Sequence, residues 1–371
     1  MYSIMAHYCT WIRKDDHHPD GLVLAVSTLL VGVIAAVAPL PGGAVRTVFE
    51  FPNDTYIENL AVRSNGQVLT CDLSKPQLDL FDPAAVGRSK AILVHEFPNS
   101  LGLSGIAEYE PDVFAVISGN FSFATGDVGI GSWQIWGVDL RNVGIVSRGG
   151  RKQVFPPPKV HLIASVAPAH FLNGISLLSQ EHGTLLVGDV NGGAIYRVDV
   201  PTGHFEVVLN NTFTAAVPAA PFPLAGVNGV HVRNGDTLYF TNIGKGTFSR
   251  VRIHQDGTPA GPITTIAHTF GPPDQFDDFT FDCEGNAFLV TGGGNSIEMI
   301  TPHGHREVII AGNVNSTAIA EPTSCAFGRG PFDKNVLYVT TAGGLAVPVD
   351  GDEIIGGQLV AVVTRSKGSS C

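Results

Sequence analysis

Six times along the chain one cassette recurs: a short polar opening, an apolar strand, a Gly or Asp turn, a second apolar strand and then an alternating third strand. The openings are Glu58-Asn59-Leu60-Ala61-Val62, Ser104-Gly105-Ile106-Ala107, Asn173-Gly174-Ile175-Ser176-Leu177, Asn228-Gly229-Val230-His231-Val232, Asp277-Asp278-Phe279-Thr280-Phe281 and Thr323-Ser324-Cys325-Ala326-Phe327. They are spaced 46, 69, 55, 49 and 46 residues apart. Second strands follow, such as Thr184-Leu185-Leu186-Val187 and Ala287-Phe288-Leu289-Val290. A four-stranded blade buries both faces only against like neighbours, so repeated blades close around an axis. The expected fold is all-β: one six-bladed β-propeller of four-stranded antiparallel blades. The counted cassettes decide the blade number, because length alone would also divide into seven short blades. The segment Ala44 to Phe51 precedes the first cassette and is expected to close the ring by joining the last blade.

Composition agrees with a turn-rich β fold. Of 371 residues, 44 are Gly and 24 Pro, and charged residues are 15% of the chain against a usual ~25%. That excludes a coiled coil, which needs dense charged heptads. Disorder is excluded because 44% of the residues are hydrophobic. The formal charge of -11 comes without a basic cluster, so nucleic acid is not an expected partner. No obligate protein partner is evident either.

Residues 1–38 stand apart from the propeller, which is assigned 39–371. No charge occurs between Asp20 and Arg46, Arg13 and Lys14 lie upstream, and Ala36-Val37-Ala38 sits near the end of the apolar run. The segment reads as a signal peptide cut after Ala38. Asp15, Asp16 and Asp20 are unusual in such a head, and an uncleaved signal anchor or a buried helix are the other readings. A signal or an anchor would place the body in the secretory pathway, lumenal or secreted. Sequons at Asn53, Asn120, Asn210 and Asn315 fit that compartment as glycosylation sites. With Cys9 set aside, Cys71, Cys283, Cys325 and Cys371 can pair in three ways. A Cys283–Cys325 disulfide is preferred because the two hold near-equivalent places in successive repeats; two buried thiols are the alternative. No CxxC or Cys/His zinc spacing exists, and the histidines are scattered.

The long second repeat carries an insertion from Ser118 to Trp136, with two of the three Trp residues, followed by Phe155-Pro156-Pro157-Pro158. It reads as a rim loop shaping ligand access, or as an alternating strand with Trp133 and Ile135 facing one way and Trp136 the other. Asn210 to Leu224 reads as a second apolar rim loop.

In a propeller the innermost strands line the axis, so the first polar residues of the cassettes, Glu58, Ser104, Asn173, Asn228, Asp277 and Thr323, are expected to converge. Two carboxylates and two carboxamides are hard oxygen ligands suited to Ca²⁺, Mg²⁺ or Mn²⁺. Ordinary turn chemistry is the competing explanation of the Asn-Gly and Asp positions, although it does not account for Glu58.

These openings, with the Asp-Gly turns between strands, resemble the gluconolactonase/regucalcin family of six-bladed propellers over roughly residues 45 to 365. The resemblance implies that Glu58, Asn228 and Asp277 are metal ligands and Asn173 an additional pocket residue. Where that family often reads Pro-Asp-Gly, this chain has Phe276-Asp277-Asp278. The stretch from Phe51 to Gly66, the signal-like head and the Asn120-Phe121-Ser122 insertion are similar to secreted fungal members of the superfamily, among them the intermolecular hetero-Diels–Alderases of tropolone sesquiterpenoid biosynthesis.

The second resemblance implies a secondary-metabolite cyclase with small apolar or polycyclic substrates. It would join a tropolone quinone methide to a humulene-type alkene without a required cofactor. Tyr56, His231 and Trp133 are then candidate hydrogen-bond donors to the ketone oxygen, and Asn173 and Asn228, with Ser104 and Thr323, candidate substrate-binding groups. Each has a structural alternative: Tyr56 on a blade edge, His231 satisfied within its strand, Trp133 in the core. The first resemblance implies a divalent-metal lactonase with Asp277 as ligand and base. A non-catalytic ligand-binding propeller is the third reading.

Overall fold

The computed structural model describes residues 44–368 except 86–88, 124, 221, 272 and 312–313. The segment read as a signal, Cys9 and Cys371 lie outside the described residues. The described chain forms six four-stranded antiparallel sheets, with helix confined to one 3-10 turn at Gly292–Gly294. The inner strands of blades 1 to 6 are Ile57–Val62, Gly102–Glu110, Leu172–Ser179, Val227–Arg233, Phe279–Phe281 and Pro322–Phe327. In blade 6 the strand Val45–Glu50 pairs antiparallel with Gln358–Val363, Val45 opposite Val362 and Glu50 opposite Gln358. The N-terminal segment therefore closes the ring as expected. Among the described residues no helix is long and apolar enough to cross a membrane.

Burial explains why these strands read as apolar runs. Val113–Gly119 and Thr184–Asp189 are buried along their whole length, because each second strand has a neighbouring blade on both faces. The core is a set of seams between blades: Ala115, Ile117 and Ile135 of blade 2 pack with Ile175, Leu185 and Val187 of blade 3. Leu178 and Leu186 of blade 3 pack in turn with Val230, Leu238 and Phe240 of blade 4.

A local irregularity aims the cassette openings. The register between first and second strands slips at Glu58/Leu60, Leu103/Ile106, Leu172/Ile175, Val227/Val230 and Pro322/Ser324. Such bulges bend a strand and redirect its side chains. Gly105, Gly174 and Gly229 sit inside these bulged segments, not at hairpin turns. A Cβ there would stand 2.0 Å from Asn173 O, 2.1 Å from Asn228 O and 2.5 Å from Asp278 Oδ1 respectively. They are glycine because neighbouring inner strands touch at that point.

The long second repeat is accounted for by two insertions: the loop 120–133 and an added hairpin, Gly144–Arg148 with Arg151–Phe155. Trp133 and Ile135 are fully buried on one side of the strand. Trp136 points the other way and donates from Nε1 to Ser118 Oγ at 3.1 Å. The Asn210 to Leu224 connection contains all but the last residue of the strands of a small hairpin, Val217–Ala219 with Phe222–Ala225.

The expected Cys283–Cys325 disulfide is not formed. Cys325 is a buried free thiol, as is Cys71, whereas Cys283 is disulfide-bonded. Cys325 lies inside an inner strand with its Sγ 3.3 Å from Phe288 O. Cys283 lies in the turn after Phe279–Phe281, its backbone N–H donating to Lys367 O.

Candidate functional site

A cavity opens on the axis. Its polar floor is Glu58, Asn173, Asn228 and Asp277, four of the six cassette openings, from blades 1, 3, 4 and 5. The rest of its lining is largely apolar, Tyr56, Leu73, Phe171, Val190, Leu224, Ala225 and Ile243, with Asn191 among them. Leu224 and Ala225 come from the small hairpin, so that connection does reach the cavity. Asp277 is held by its backbone: its N–H donates to Val290 O at 3.1 Å, and its carbonyl accepts from Thr241 Oγ1 at 2.6 Å.

The floor carries unspent acceptors. Asn173 donates from Nδ2 to Glu58 Oε1 at 3.2 Å, yet Asn173 Oδ1, Asn228 Oδ1 and Asp277 Oδ1 are buried without a hydrogen-bond partner. An unsatisfied buried polar atom costs about 1–3 kcal/mol. Several on one floor fit a hard divalent cation, held by Glu58, Asp277 and the two carboxamide oxygens. Among the described residues no group of three or more His, Cys, Asp or Glu is placed to hold a metal, so the carboxamides are needed to complete such a set.

Without a cation the same geometry favours a proton. Burial, then the charges of Asp278 and Glu321, push Glu58 up to about 8, with the Asn173 hydrogen bond opposing. Burial, then the charge of Glu58, pushes Asp277 well above the carboxylate range. Two buried carboxyls that repel each other do not both stay ionised without a cation, so one keeps its proton. The Tyr56 phenol is likewise held protonated, by burial first and then by Glu321, Glu58 and Asp277.

Ser104 and Thr323 converge on the axis but are spent on architecture. Ser104 Oγ donates to Leu172 O and Thr323 Oγ1 to Ile57 O, both at 2.7 Å, tying each inner strand to the next blade. His231 does not line the cavity. Its Nε2 lies 2.9 Å from Asp278 Oδ1 and its ring packs edge-on against Phe279. Trp133 is fully buried, and its only N–H donates to Val128 O and His170 O at 2.9 and 2.7 Å, leaving none for a ligand.

Two further acidic residues, neither of them a first residue of a cassette, organise the site. Asp278 collects His231 of blade 4, Asn59 Nδ2 of blade 1 at 3.1 Å and Ser324 Oγ of blade 6 at 2.9 Å. The Asp277-Asp278 doublet was its signal. Glu321 accepts from Val347 N–H and Ala346 N–H at 3.0 Å each, fixing the connection that follows the strand Val336–Thr341. Nothing in its sequence surroundings marks it, because its partners are 25 and 26 residues away.

Residues 180–343 match the family model of the SMP-30/gluconolactonase/LRE-like region. The match runs from the second strand of blade 3 through the second strand of blade 6. A Sarocladium schorii protein provisionally named hetero-Diels–Alderase asR5 is 27% identical over 95% of this chain and 92% of its own length. A Phoma sp. protein, also provisionally named hetero-Diels–Alderase, is 25% identical over 81% of this chain and 87% of its own. A solved luciferin-regenerating enzyme superposes with a TM-score of 0.61 at 17% identity, covering 88% of this chain and 97% of that one. At that identity the superposition establishes the shared fold alone. Resemblance to both the gluconolactonase-like propellers and the hetero-Diels–Alderases is therefore present.

Proposed function

We propose that this protein is a cyclase of secondary metabolism that catalyses an intermolecular hetero-Diels–Alder reaction, joining a tropolone quinone methide to a humulene-type sesquiterpene. The observation that carries this reading is a largely apolar cavity with the buried carboxyls of Glu58 and Asp277 together on its floor. The similarity to proteins carrying the hetero-Diels–Alderase name supports it.

The walls exclude water and hold two apolar partners in contact. Such positioning is worth on the order of 7 kcal/mol or more in favourable cases. The heterodiene ketone is aimed at the floor, where the protonated carboxyl of the Glu58 and Asp277 pair and the Tyr56 phenol donate to its oxygen. Asn173 and Asn228 orient the oxygenated ring. As the heterodiene oxygen and its terminal carbon bond to the two alkene carbons, negative charge on the oxygen peaks and is met by donors already in place. Nothing leaves and nothing is oxidised: two π bonds become two σ bonds, and the remaining π bond shifts within the new dihydropyran.

The unspent oxygens of the floor favour a second reading, a divalent-metal lactonase, in which Glu58, Asn228 and Asp277 would hold the ion with Asn173 beside them. When bound, such an ion supplies carbonyl polarisation and an activated water. The lumenal or secreted location remains part of the proposal, supported by the exposed sequon residues Asn53, Asn210 and Asn315; Asn120 is half-buried.

Generating a quinone methide in the presence of humulene, with and without protein, tests the first reading. Stereochemically enriched dihydropyran is the expected result, and an unchanged racemic mixture rejects it. Lactone hydrolysis abolished by a chelator and restored by Ca²⁺ would decide for the second.

A further inference from the structure

Four aromatic rings form an unbroken chain along one side of the cavity. Tyr56 stacks on Phe123 with centroids 5.0 Å apart and planes at 30°. Phe123 meets Phe121 edge to face at 4.7 Å, and Phe121 stacks on Phe171 at 5.0 Å with planes at 8°. The outer two, Tyr56 and Phe171, line the cavity. The inner two come from the loop 120–133, which joins the second and third strands of blade 2. The same connection is only residues 73–76 in blade 1, 190–193 in blade 3 and 243–246 in blade 4.

This loop is a built element. Ser122 N–H donates to Asp127 O at 2.9 Å, Gly126 N–H to Ser122 O at 2.8 Å, and Ser132 Oγ to Gly129 O at 2.6 Å. Trp133 pins its end: the indole lies over Gly119, where a Cβ would stand 2.4 Å from the ring. The N–H of Trp133 clamps Val128 and His170, and its ring tilts against Phe171 at 4.9 Å. Tyr56 and Phe171 are therefore oriented before any ligand arrives, so a ligand that stacks on them does not have to order them.

We propose that the loop 120–133 is the specificity element of this cavity: Phe121 and Phe123 hold Tyr56 and Phe171 as a fixed aromatic wall that selects a planar, conjugated, carbonyl-bearing ring over a saturated lactone ring. A planar ring offers a π face to the wall, and each aromatic contact adds about 0.5–1.5 kcal/mol beyond area burial. A saturated ring has no such face. The inference rests on reading the cavity as the ligand site of the cyclase, and it makes Phe121 and Phe123 positioning residues.

Calorimetric titration of the purified full chain with tropolone and with δ-valerolactone tests it without requiring turnover. Wild-type protein is expected to bind tropolone at least about 10-fold more tightly. Phe123→Leu keeps apolar bulk but removes the ring. It is expected to weaken tropolone binding about 2- to 10-fold and leave δ-valerolactone unchanged, while Phe123→Tyr retains the preference. Phe121→Leu gives a second measurement should Phe123→Leu fail to fold, as judged by circular dichroism. Equal affinity of wild-type protein for the two probes, or equal losses for both in the Leu variants, overturns the proposal. A tropolone preference with no cyclisation would instead leave the wall intact and count against the cyclase reading.

Discussion

Tyr56 illustrates how one side chain can separate catalysis from stability. It is buried against the wall, yet its phenol makes no hydrogen bond to a described residue, so Tyr56→Phe removes a donor that only a ligand uses. On the proposed mechanism this change lowers kcat for cyclisation by about 10²-fold while the urea midpoint stays unchanged. Trp133 is the opposite case. Trp133→Phe discards an N–H that satisfies two carbonyls and opens space over Gly119, and it is expected to cost about 2–4 kcal/mol in urea unfolding. At this scale the sequence marks both residues as special without separating their roles, because donor and core indole differ only in what surrounds them.

At the scale of the blade, the cassette openings do two jobs on one bulge. In blades 1, 3, 4 and 5 the first residue turns to the cavity floor, and in every blade the next meets the neighbouring blade. In blades 2, 3 and 4 that next residue is Gly, packed against carbonyl or carboxylate oxygen. In blades 1, 5 and 6 it is Asn59, Asp278 or Ser324, which bond to one another and to His231. Asp278 is the hub of this knot. Asp278→Ala leaves three side chains and the Phe279 N–H short of an acceptor and is expected to cost about 3 kcal/mol or more. Asp278→Asn, which retains an acceptor oxygen, should cost less; equal melting temperatures for the two variants and wild type would show that the blades are joined by packing alone. The turn glycines are different: Gly66, at φ +86, closes its hairpin in the left-handed region, whereas Gly174 needs only the missing side chain. Sequence shows the same letter in both places.

The whole molecule carries a pH dependence of determinable sign. Burial raises Asp72 and Asp79 to about 6, Glu321 to about 7 and Glu58 to about 8. The unfolded chain releases these protons near pH 4, so between about 4 and 8 the folded state binds more of them. Stability is therefore greatest at the acid end of that window and falls as pH rises through it. Metal-free protein is expected to melt at a lower temperature at pH 8.5 than at pH 5.5, with Glu321→Gln flattening the slope. If the floor binds Ca²⁺, adding it at 100 times its Kd raises stability by about 2.7 kcal/mol, and Glu58→Gln abolishes that gain. A melting temperature indifferent to Ca²⁺ at millimolar concentration would argue against a metal-dependent role for the floor.

Repetition was legible in the chain itself, and with it the blade count, the closing N-terminal strand and the axial meeting of Glu58, Asn173, Asn228 and Asp277. A repeat constrains its own equivalent positions, so one cassette read correctly places the same residue in every blade. The tertiary structure decided what lies between repeats. It kept Cys325 from Cys283, turned His231 to Asp278, spent the Trp133 N–H on backbone and brought Phe123 to Tyr56. Those contacts join residues whose separation in sequence follows no period. Only the closing of the ring determines which of them meet, and hence which polar atoms of the floor are left for a ligand.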